Sequence, residues 1–156
     1  MNLRLSFSGV GLVIFVLPML INIVYAIFPP VGVTGTDRQA AVPRLLEITE
    51  QASRIAYLLA ITFLVSRDRP AVRSVWFFAA AVFLVLYYAV WIRYFAGGRD
   101  VALLERSFLA VPIPLAVFPV LYFLCTAIWM HNIPAAVVMV IFGAAHIAVS
   151  VRSFDS

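Results

Sequence analysis

The chain has 156 residues, 65% of them hydrophobic, and a mean hydropathy of +1.07. Soluble domains are close to half apolar, so this excess argues for lipid as the main solvent and against an ordinary water-soluble domain. The net charge of +4 comes from eleven arginines and no lysine, placed in loops and at the ends of apolar runs. That placement suits headgroups and membrane orientation; a nucleic-acid binder would gather its arginines on one polar face.

Residues 9–28 read as a first membrane span. Arg4 ahead of an apolar run resembles a signal peptide, with Val24-Tyr25-Ala26 as a weak cleavage site. The run is longer than a signal's apolar region and is interrupted by Pro18 and Asn22, so a retained helix is expected. Phe28-Pro29-Pro30 closes it, because proline disfavours helix in the residue before it. A short glycine-containing loop follows.

Residues 43–66 form the second expected span, with Pro43 in the first turn, where a missing N–H costs nothing. Its second half is apolar. Its first half carries Arg44, Glu47, Glu50, Gln51 and Arg54. A membrane helix keeps ionisable groups where they meet protein or water, so this segment is expected to be the inner wall of the bundle. Residues 72–95 form the third span, ended by the C-cap signal Gly97-Gly98. The link 99–107 has helical spacing at Val101, Leu104 and Phe108, enough for one or two interfacial turns.

The fourth span is placed at 108–130, with Pro112, Pro114 and Pro119 in its first half. A tight turn through His131 and Asn132 leads to the fifth, 134–151. Each is near the length that crosses a hydrocarbon core. The expectation is therefore an all-α membrane protein, one domain over 1–156, built as a bundle of five transmembrane helices with short loops. Three arginines, Arg67, Arg69 and Arg73, crowd the side that holds the N-terminus. The N-terminus is accordingly expected in the cytoplasm and the C-terminus outside.

Because alternate helices run in opposite directions, the depth of each polar residue follows from its distance to a span end. Asn22, Glu47, Glu50, Arg54, Tyr87, Trp91, Tyr94 and His146 all fall in the half of the bundle away from the N-terminal side. Glu47, Glu50, Arg54 and Tyr57 follow three-and-four spacing and make one stripe. Glu50 and Arg54 form an acid-before-base i,i+4 pair. Tyr87, Trp91 and Tyr94 share a second face, while Arg93 points away from them and is expected to snorkel. The three prolines free backbone carbonyls beside this stripe, and in lipid such carbonyls must face protein or a cavity.

These residues define a candidate pocket in one leaflet: Asn22, Glu47, Glu50, Arg54, Tyr57, Tyr87, Trp91, Tyr94 and His146. A polar head, aromatic walls and an apolar floor suit a small amphipathic or lipid-like ligand. If the protein is an enzyme acting on such a ligand, Glu50 and His146 are the acid–base candidates. A transporter built as a homo-oligomer and an assembly subunit are further readings. Plainer readings weigh against all of these: Glu50–Arg54 as a helix clamp, the aromatic stripe as an interfacial belt, His146 as a packing contact.

Cys125, the one cysteine, sits in an apolar run and is expected to be buried. A phosphate-binding glycine loop, GxSxG, paired metal-ligand histidines and CxxCH are all missing from the sequence. Neither a metal nor a cofactor is expected. The expected partners are the bilayer and the amphipathic ligand.

Overall fold

The computed structural model describes residues 3–31, 42–68 and 70–154. Among them the chain is all-α in character, with six helices: α1 Gly9–Ile27, α2 Arg44–Phe63, α3 Val75–Ala96, α4 Ala102–Glu105, α5 Pro114–Trp129 and α6 Ile133–Phe154. Two three-residue strands, β1 Leu3–Leu5 and β2 Leu64–Ser66, pair antiparallel with Leu3 opposite Ser66.

Three helices are long and apolar enough to cross a membrane. These are α1, α3 and the Ile133–Arg152 part of α6, with mean hydropathies of 2.5, 2.2 and 2.1. The apolar α5 is shorter, at 16 residues. Helix α2 has 20 residues, but its charged first half lowers its hydropathy.

Several boundaries differ from the sequence expectation: the third helix starts at Val75 and not at 72, the last runs to Phe154 and not to 151, and two others have a clear local cause. The helix expected over 108–130 begins only at Pro114, because residues 108–111 close a tight turn in which Phe108 and Val111 exchange backbone hydrogen bonds at 3.1 and 2.9 Å. Leu109, Ala110 and Ile113 are left-handed there, at φ 49°, 62° and 51°. Pro114 keeps Ile113 out of the right-handed helical region and takes the first helical turn itself. The second helix, expected to reach residue 66, stops at Phe63 because β1 captures the following residues as a strand.

That ending settles the carbonyls that a helix C-terminus leaves unpaired. Ser8 N–H donates to the Thr62 carbonyl at 2.8 Å and Ser6 N–H to Phe63 at 3.0 Å. The Asn132 amide donates to Ala60 and Leu64 at 2.9 and 2.7 Å. The same side chain caps α6, accepting from Ala135 N–H at 3.1 Å. Gly11 lets α1 lie against this end, since a Cβ there would stand 2.0 Å from the Ile61 carbonyl oxygen.

Helix α5 packs against α3 and α6, and α6 against α2. Gly143 sets the α5–α6 distance: a Cβ would meet Val120 Cγ1 at 2.7 Å. Ile14, Tyr57, Ile61, Tyr122, Phe123 and Met139 form one core. Tyr87, Val90, Trp91, Tyr94, Leu104 and Phe118 form a second. Cys125 is buried in the first.

Pro18 breaks the hydrogen-bond ladder of α1 and leaves the Ile14 carbonyl without its helical donor. The buried Tyr122 hydroxyl of α5 donates to that carbonyl at 3.0 Å. Tyr122→Phe is therefore expected to cost about 1–2 kcal/mol. In a Pro18→Ala background residue 18 supplies its own N–H, so the loss should shrink. A double-mutant cycle on unfolding in detergent measures the coupling.

Candidate functional site

The site is built where α2 meets α6. The i,i+4 pair expected on α2 is present, with Arg54 Nη2 at 2.6 Å from Glu50 Oε1. From α6, Nδ1 of His146 meets the same oxygen at 3.0 Å. One turn earlier on α6, Phe142 stacks on the His146 ring at 5.0 Å between centroids. The Arg54 guanidinium lies over the other ring of that stack, 5.5 Å from the Phe142 centroid. Glu50 has a side chain only 9% exposed, against 41% for Arg54. The buried carboxylate thus holds two more accessible groups in place.

Beside this triad lies a cavity of about 220 Å³. Six of the nine candidate residues line it: Asn22, Arg54, Tyr57, Tyr87, Trp91 and His146. Some of these are also held by one another and by the backbone. Tyr57 donates to the Phe123 carbonyl at 2.8 Å and lies 3.3 Å from Thr126 Oγ1. Tyr87 donates to Asn22 Oδ1 at 3.3 Å, joining α3 to α1.

The other three candidates stand elsewhere. Glu50 lies behind the lining and positions Arg54 and His146. Glu47 is exposed in the first turn of α2, where a carboxylate complements the helix dipole. Tyr94 is fully buried behind Trp91, with ring centroids 5.8 Å apart, in a cluster with Tyr25, Phe95 and Leu104. It supports the wall rather than forming it.

Seven lining residues were not among the candidates: Phe15 and Met19 from α1, Leu115, Pro119 and Phe123 from α5, and Met139 and Phe142 from α6. They give the cavity most of its apolar lining. Pro119 also withholds the N–H that would pair with the Leu115 carbonyl, on the same wall. Each set follows helical spacing, but in helices that are apolar on every side such spacing carries no contrast.

Arg93 was expected to snorkel. Instead its guanidinium donates to the carbonyls of Leu103, Arg106 (2.7 Å) and Ser107 (3.1 Å). It also lies 5.2 Å over the Phe108 ring. It fixes the link whose far end enters the left-handed turn before α5.

The chemistry follows from the hydrogen-bond inventory. A carboxylate only accepts, so His146 Nδ1 carries the proton toward Glu50, and when the ring is neutral its Nε2 is an acceptor. Arg54 keeps guanidinium N–H groups beyond the one given to Glu50. The ion pair cancels its own charge. No known protein family, curated protein or solved structure matches this chain.

Proposed function

We propose that this chain is a five-span membrane bundle that binds a small amphipathic ligand in the cavity between its helices. In this reading α2 and α5 cross the bilayer together with the three longer apolar helices. The N-terminus is cytoplasmic and the C-terminus outside, from the arginines at 67, 69 and 73. The observation that carries the reading is the make-up of the cavity wall: polar groups from Arg54, His146 and Asn22, with apolar and aromatic side chains over the rest.

Depth adds support. Glu50 is six residues and Arg54 ten residues into α2, about 9 and 15 Å along its axis. Ionisable groups at such depth in a span mark functional sites by default, and here they are paired beside a cavity. Helix α5 is about 24 Å long, short of a 30 Å core, a mismatch that local thinning accommodates. Self-association into a homo-oligomer would be needed only for transport, since one copy without an internal repeat has no second half to rock against.

Catalysis on the same ligand is the second reading, favoured by one observation. The Glu50–His146 hydrogen bond orients the imidazole with a basic nitrogen to spare, as in general-base sites. One substitution separates the two. Glu50→Gln is expected to lower ligand retention about tenfold, a loss of ~1.4 kcal/mol, read as the fraction of purified protein carrying ligand. Unchanged retention with lost turnover would favour the enzyme.

A further inference from the structure

The hydrogen-bonding and charge character of the cavity narrows the ligand's head group. Engineered cavities of about 150 Å³ take up benzene, so 220 Å³ admits one substituted six-membered ring. Tyr87, Trp91, Phe123 and Phe142 line it and offer flat surfaces to such a ring.

Charge is the second filter. The Glu50–Arg54 pair sums to zero, so with the imidazole in its neutral form, as at mildly alkaline pH, neither an anion nor a cation finds an unspent counter-charge. An unpaired charge is costly in so apolar a setting. The third filter is hydrogen bonding. At the triad a neutral His146 accepts at Nε2 and Arg54 donates, so a head group seated there must supply both a donor and an acceptor. A hydroxyl does both. A ketone or a carboxylate has no proton for Nε2.

Resting on the binding role above, we propose that the cavity takes a neutral, hydroxylated single ring of the phenol class, its O–H donating to Nε2 of His146 and its oxygen accepting from Arg54. The same head group occurs on free phenols and on lipids that end in a phenol or quinol ring, and the test separates these sources.

The test uses quenching of Trp91, one of three tryptophans, in full-length protein carrying Trp76→Phe and Trp129→Phe. The probes are 4-bromophenol and 4-bromobenzoate at mildly alkaline pH, below the range where the phenol ionises. The expected result is saturable quenching by the phenol at a concentration at least tenfold below that for the benzoate. His146→Phe keeps a ring against Phe142 but lacks Nε2, and should weaken the phenol at least tenfold. Leu115→Phe, which fills the cavity, should abolish both.

Benzoate binding as tightly as phenol, or phenol binding unchanged in His146→Phe, would overturn the head-group assignment and leave the cavity role standing. Saturable quenching by neither probe would overturn both. Should His146→Phe not fold, the preference of the unsubstituted site for phenol over benzoate decides alone. Displacement of bromophenol by 4-nonylphenol at a tenfold lower mole fraction marks a lipid head. Equal potency marks a free phenol.

Discussion

Replacing Asn132 by alanine is expected to remove about 3–5 kcal/mol of stability. Asn132 is 0% exposed and makes three hydrogen bonds at a junction of two helices. Without it the Leu64 carbonyl loses its side-chain donor and Ala60 keeps only its helical N–H, from Leu64. Each buried group left unpaired costs about 1–3 kcal/mol, and the lost cap of α6 adds about 1 kcal/mol. Asn132→Asp restores the cap acceptor but turns a carboxylate toward two carbonyls, so it should not rescue. Denaturant titration in mixed micelles reads both variants. A loss below about 1 kcal/mol for the alanine variant would mean that the end of α2 finds other donors.

Arg54→Met is expected to cost about 3 kcal/mol, because it leaves the Glu50 carboxylate buried with only the His146 imidazole for a partner. The test is rescue. Adding Glu50→Gln to Arg54→Met removes the stranded charge and should recover most of the loss, although it restores no ion pair. Such non-additivity is the signature of a charge that is costly alone and tolerated in company. If the double variant is no more stable than Arg54→Met, the damage comes from lost packing of the guanidinium on Phe142.

How far the site could be read from the sequence depended on contrast. Glu50, Arg54 and His146 stand out because an ionisable group in an apolar helix has few neighbours it can live with, and depth arithmetic put all three in one leaflet. The structure places them within hydrogen-bond distance. Tyr87 and Trp91 came through the same reasoning, from a shared helical face. Tyr94, one turn on, shares that face but is covered by Tyr25 and Leu104, and Leu104 lies in a link whose path the sequence leaves open.

The apolar lining was not legible. Leu115, Pro119 and Phe123 recur every four residues, yet the residues around them are just as apolar, so no face declares itself. The ends of helices were also hidden. The β1 strand is three residues long and has meaning only through its partner beyond α2. Ile113 adopts a left-handed conformation that β-branched residues avoid, held there by Pro114 and by the turn of residues 108–111. Arg93 looked like an interfacial arginine because nothing local announces the three carbonyls it collects.

The central claim is that the triad is the polar end of an occupied cavity. Native mass spectrometry of protein released from mild detergent tests it most directly, with the unsubstituted chain run beside Glu50→Gln and Leu115→Phe. A discrete adduct on the unsubstituted protein, lost from both variants, is the expected result, and its mass would identify the ligand. No adduct on any of the three, with Glu50→Gln simply less stable, would contradict the account and make Glu50, Arg54 and His146 a clamp between α2 and α6.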